Sequence, residues 1–166
     1  MPSAALPHVL GTISLLLIMS SVLLMSNLIL LNLNNDAIKA SLKETTNYIS
    51  HEVVEVVSLA SSTGSSELFC YRLLDIPYHL QNYGYTIKYA KDELGWKVVA
   101  YINEYETIYA ESRLNWVSGI QVINSTQVVN NIIENRPSVQ SGASNIVIWC
   151  QRFTNGTVRV GMGVLL

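Results

Sequence analysis

Apolar and polar positions follow two different rhythms along this chain, and the change of rhythm divides it. From Val9 to Leu31 (VLGTISLLLIMSSVLLMSNLILL) run 23 residues without a charge, and the first charged side chain is Asp36. At about 1.5 Å per residue, a helix of that length covers roughly 35 Å, enough to cross the hydrocarbon core of a bilayer. Ser14, Ser20, Ser21, Ser26 and Asn27 interrupt the run. Small and hydroxyl residues let helices approach closely, and a mid-span Asn needs a hydrogen-bonding partner. Such a helix is built to sit in lipid or to pack against copies of itself.

Beyond the polar NLNND stretch the helical spacing resumes. Ile38, Leu42, Thr45, Ile49, Val53, Val56 and Ala60 recur at steps of three and four, the face of one helix. Asp36, Lys39, Lys43, Glu44, His51, Glu52 and Glu55 fall largely off that stripe, and His51 and Glu55 can meet at i, i+4. No Gly or Pro occurs between Thr12 and Thr63, and Pro7 suits a first helical turn. The pattern predicts a nearly continuous helix from Pro7 to Ala60, with Asn32–Asn35 as the place for a bend. Ser61 to Ser66 (SSTGSS) reads as helix stop and linker, with Gly64 at the turn.

After the linker the period changes to two. Leu68–Leu74 reads as a strand, and Asp75–Tyr83 as a turn-rich connection in which Pro77 forbids a central strand. Gly84–Ala90 and Trp96–Ile102 form a hairpin around KDELG, and Tyr105–Glu111 continues the meander. Strand-like pieces follow at Ile120–Ile123 and Gln127–Ile133, then a loop over Asn135–Ser144. Asn145–Phe153 pairs with Thr157–Leu165 across TNG, a hairpin-turn signal. Seven or eight short strands imply a β-sandwich or small barrel. The fold class is α+β: a long N-terminal hydrophobic helix, the stem of a lollipop, followed by an all-β, sandwich-like globular head. The expected division is a helix over 1–60, a linker over 61–66 and a head over 67–166.

Composition narrows the function. Net charge is −2 and the Lys and Arg residues form no cluster, which argues against nucleic acid because phosphate binding needs a basic footprint. No Walker loop, H-E-x-x-H, G-x-S-x-G or G-x-G-x-x-G occurs. His8 stands alone, and His79 with Asp75 lies in a Pro-containing turn without a nucleophile, so neither a catalytic set, a metal site nor a cofactor site is expected. Gly161 and Gly163, inside a strand pattern, read as bulge or close packing. The many tyrosines fit strands and interfaces before they fit a sugar-binding surface.

Cys70 and Cys150 lack metal-ligand spacing. A disulfide is favoured, since both follow a hydrophobic anchor in a segment with glycosylation sequons; a pair of free buried thiols is the alternative. Closing such a loop would contribute about 4.5 kcal/mol in the chain-entropy model. The sequons place glycosylation candidates at Asn124 and Asn155, both in expected turns. The apolar run exceeds a signal-peptide core, no Lys or Arg precedes it and no A-x-A-like site closes it, so the segment is expected to be retained.

A long apolar-then-amphipathic helix feeding a β head resembles archaeal type IV pilins and the related archaellum subunits, and DIPYHLQNYGYTIKY is similar to the Pro-containing turn, Gly-Tyr and strand of such heads. The family's leader with Lys or Arg before a small residue has no counterpart here, nor has the glutamate of the bacterial relatives. The resemblance implies a structural, non-enzymatic subunit of a surface filament for adhesion or motility. Its partners would be identical subunits, the membrane before assembly and the pilus assembly machinery. The assembly helix would present Leu10, Leu17, Leu24, Asn27, Leu31, Ile38, Leu42, Ile49, Val53 and Val56, the later ones docking partly on the head and partly on neighbours. Alternatives are a single-pass membrane adaptor with an envelope-binding head, as in minor archaellum components, and a membrane-anchored carbohydrate-binding module.

Overall fold

A computed structural model of the protein describes residues 5–62, 67–116 and 119–166. Gly64 and the rest of the expected linker from 63 to 66 lie outside the described residues. Helix α1 covers Ala5–Ser62 and is assigned without a break through Asn32–Asn35, where a bend was expected. The chain divides into two compact units, Met1–Ala37 and Ile38–Leu166. The last part of α1 therefore belongs to the same unit as the β head, while the expected division placed the whole helix apart from it.

In the second unit ten strands make two sheets. The first sheet has the order β1 (Leu68–Leu73), β9 (Ile146–Arg152), β10 (Val158–Leu165), β7 (Ile133–Asn135), β6 (Gln127–Val129), all antiparallel. The short strand β5 (Ile120–Val122) lies parallel to the start of β10. The second sheet runs β4 (Tyr109–Arg113), β3 (Gly95–Ile102), β2 (Tyr85–Asp92), β8 (Ser138–Gln140). Alternate residues of both sheets point to one shared core: Tyr85, Ile87, Tyr89, Val98, Ala100 and Ile102 from one, Ile146, Ile148, Cys150, Val160 and Met162 from the other.

Helix residues complete that core. Ile38, Leu42, Ile49, Val53, Val56 and Ala60 are at most 3% exposed, packed in the same cluster as the sheet residues. The stripe was expected to dock partly on the head and partly on neighbours; these six side chains are covered by the head of their own chain. Polar contacts fix the helix at the sheet margins: Lys43 Nζ donates to the Glu111 carbonyl and Ser50 Oγ to that of Ser112, both on β4. Arg72 on β1 meets Glu52 and Glu55 at 2.6 Å each, so Glu55 pairs there rather than with His51. Arg152 on β9 donates to the carbonyls of Ala60 and Ser61, two of the acceptors that a helix C-terminus leaves unpaired.

The strands depart from expectation where backbone conformation overrides side-chain pattern. Gln127–Ile133 is not one strand: Asn130 and Asn131 have φ of 50° and 56°, and Ile132 N donates to the Val129 carbonyl at 3.1 Å. That is a type I′ turn, and it folds the segment into the β6–β7 hairpin. β4 starts at Tyr109 because 103–108 are spent on the turn from β3, closed by Ile108 N to the Tyr105 carbonyl. β8 lies inside the expected loop; it pairs with β2 and buries Val139.

The outer face of the first sheet carries a second apolar cluster, Val129, Ile133, Val147 and Trp149, with Phe69 stacked on Trp149. The Trp149 indole donates to Asn135 Oδ1 at 2.8 Å, and Asn135 Nδ2 donates to the carbonyls of Ser125 and Ile123. Gly161 and Gly163 exist to admit this arrangement. A Cβ at Gly161 would fall 2.2 Å from Asn135 Oδ1 and 2.6 Å from the indole, and one at Gly163 would fall 2.1 Å from the Glu134 carbonyl oxygen.

Two outcomes follow for the full chain in detergent and its fragments. Gly163→Ala should cost more stability in urea unfolding than Gly161→Ala, each about 2 kcal/mol or more, because the first clash is with backbone and the second with side chains. A fragment beginning at Ile38 should fold cooperatively. One beginning at Glu67 should not, since each lost large apolar side chain is worth about 1.5–3 kcal/mol against a total stability of about 5–15. Circular dichroism melts of the two fragments check this; equal melts would remove the helix from the core.

Candidate membrane and assembly segment

The candidate functional surface is the first part of α1. Its most apolar 18-residue window has a mean hydropathy of 2.3 and none of it is buried. Leu10, Leu17, Leu24 and Leu31 are 58–66% exposed, and residues 8–37 are exposed throughout. The helix starts at Ala5 because Pro7 falls in its first turn, where a missing N–H costs nothing. No Gly or Pro follows Gly11 within it, and Leu and Met side chains, not branched at Cβ, lose little rotamer freedom in a helix.

Within this segment three hydroxyls turn inward. Thr12 Oγ1 donates to the Val9 carbonyl, Ser20 Oγ to that of Leu16 and Ser21 Oγ to that of Leu17, each at 2.8 Å. A hydroxyl that bonds its own helix adds no unmet donor to an apolar medium. An amide has no such escape, and Asn27 stands exposed among leucines. Of the ten residues expected on the assembly helix, the structure thus places Leu10, Leu17, Leu24, Asn27 and Leu31 on uncovered surface, and Ile38, Leu42, Ile49, Val53 and Val56 in the head core.

The expected disulfide is not formed. The register of β1 and β9 sets Cys70 directly opposite Cys150, yet both are free, and Cys70 Sγ donates to the Cys150 backbone carbonyl at 3.7 Å. The sulfur is committed to a main-chain acceptor instead of a second sulfur. The Cys150 thiol is pushed up by its contact with Cys70 and by burial, whereas the same contact lowers Cys70. Sequence spacing alone could not reveal that the two residues are cross-strand neighbours.

Asn124 and Asn155 are both exposed in loops, and Asn155 Oδ1 accepts from Thr157 N in the β9–β10 turn. Open clefts line the second unit. One, of about 400 Å³, brings together Glu44, Tyr48 and Asp75 with Pro77. No group of His, Cys, Asp and Glu fit to hold a metal occurs among the described residues.

The fold and this segment define a class: an α+β protein with one helix long and apolar enough to cross a membrane and an antiparallel β head. Compared with protein-family models, curated proteins and solved structures, the chain matches none.

Thiol chemistry tests the site's cysteines. Near about pH 8, where thiolate is the reacting form, iodoacetamide should label Cys70 first and Cys150 only on unfolding. Unfolding without reductant should then yield two alkylated cysteines per chain; recovery of a Cys70–Cys150 peptide pair would contradict the free thiols.

Proposed function

We propose that this chain is a structural subunit of an archaeal, type IV pilus-like extracellular filament, held in the membrane before assembly and polymerised through the first part of α1 for adhesion or motility. The observation that carries the reading is the contrast within one helix: from Ile38 onward one face is buried in a finished core, while residues 8–37 have no cover on any face. A stretch of that hydropathy leaves water at roughly 25 cal/mol per Å² of apolar area, first into lipid and then against other helices. A repeating contact that does not close on itself gives a fibre, and a head with its own core can coat the outside of one. The exposed sequons at Asn124 and Asn155 suit an extracytoplasmic head, and glycans there would be carried on the filament surface.

Shearing cells and identifying the main protein of the released fraction by mass spectrometry tests this directly. Thin filaments composed mainly of this chain are expected. If the chain stays with membranes at low copy, the adaptor reading replaces the filament. A charge placed in the uncovered segment, Leu17→Lys or Leu24→Asp, should abolish filaments while leaving the β-sheet circular dichroism of the head unchanged. Normal polymerisation of either variant would take the helix out of the filament core.

A further inference from the structure

Two open clefts flank the second half of α1. One, of about 490 Å³, lies between the helix and β4 and is lined by Lys39, Lys43, Thr107, Tyr109, Ala110 and Glu111. The only carboxylate among these lining residues, Glu111, is held by Lys97 at 2.6 Å, so the two helix lysines leave this cleft positive. The other is the cleft of about 400 Å³ between the helix and the connection after β1. Its lining carries Glu44 and Asp75 and no Lys or Arg, and Tyr48, Ile76 and Pro77 make up its apolar part. At about 100° per residue, Lys39 and Lys43 lie on one flank of the helix and Ser41, Glu44 and Tyr48 on the other.

Both sets of charge are unpaired within the chain. Lys39, Glu44 and Asp75 are exposed, and none of them makes an ion pair among the described residues. The helix stands between the two clefts, so neither can answer the other in one molecule. A free cation would satisfy the acidic cleft and leave the lysine cleft unmet, whereas a second copy of this chain satisfies both. Copies that point the same way bring the positive flank of one to the negative flank of the next. Each copy then keeps one flank of each sign open, and the contact repeats without closing.

We infer that the two clefts are the halves of one subunit–subunit contact, in which Lys39 of one copy pairs with Glu44 and Asp75 of the next. Tyr109, 55% exposed beside the lysines, meets Tyr48 and Pro77 of the same neighbour, and tyrosine is enriched in such contacts. Exposed ion pairs add little affinity each, so the charges select which flanks meet while the uncovered helix supplies the hold. The inference rests on the filament reading and adds which faces of the head touch.

Charge exchange in the full-length chain tests it. Lys39→Glu alone, and Glu44→Lys together with Asp75→Lys, should each lower the yield of sheared filaments roughly tenfold, because like charges then face each other. The triple variant carries all three reversals, restores the attraction with the signs exchanged, and should return the yield to near that of the wild type. Undiminished yield from either partial variant, or a triple variant no better than the partial ones, overturns the contact. Cryo-electron microscopy of wild-type filaments needs no variant to fold. Lys39 Nζ should lie within about 4 Å of a Glu44 or Asp75 carboxylate of a neighbouring copy. Filaments whose lysine flank faces solvent, or whose acidic cleft holds an ion or another protein, overturn the contact and leave the filament reading intact. Absence of any wild-type filament overturns both.

Discussion

The hydrocarbon of residues 8–37 must be kept from water, and the rest of the molecule is arranged around that demand. The backbone of the segment satisfies itself as a helix, and the hydroxyls of Thr12, Ser20 and Ser21 bond back to carbonyls of the preceding turn. What remains unmet is lateral: a leucine surface and a sparse line of amides. A soluble domain would fold over such a surface. This chain instead ends one compact unit at Ala37 and spends its sheets on the part of α1 that follows.

The head solves a different problem with the same helix. Two sheets of modest size would leave a core open along one side, and the stripe from Ile38 to Ala60 fills that side. Arg152 and Arg72 then tie the helix to adjacent strands of one sheet, and Lys43 and Ser50 tie it to the edge of the other. On the far face of the first sheet, Trp149 and Asn135 lie over two glycines, so the sheet is packed on both sides at its centre.

Periodicity made much of this legible. A long uncharged run announced the first half of α1, steps of three and four announced the second, and alternation announced β2, β3, β9 and β10. A stripe tells which face is covered and not by what, so Ile38 to Val56 could be read as filament contacts when the head already covers them. β6 and β7 were hidden because their break depends on two asparagines in the left-handed region, which apolar patterning does not register. β8 is too short to show a period. Contacts between residues distant in sequence, such as Cys70 opposite Cys150 or Trp149 over Gly161, depend on register, and a single chain of letters carries no register between separate strands. Asn27 was visible from the beginning, but that the helix around it lies uncovered is seen only in the structure.

Strand order also has a consequence for synthesis. β9 and β10, the last strands made, occupy the middle of the first sheet, and β1 has no partner until β9 arrives some eighty residues later. A ribosome making this chain therefore delivers an amphipathic helix and an unpaired strand long before anything can cover them. Contacts this remote in sequence form late and slowly. The head cannot assemble piecemeal from its N-terminus; it waits for its final residues, and until they are released the new chain exposes apolar surface that only its own last strands can cover.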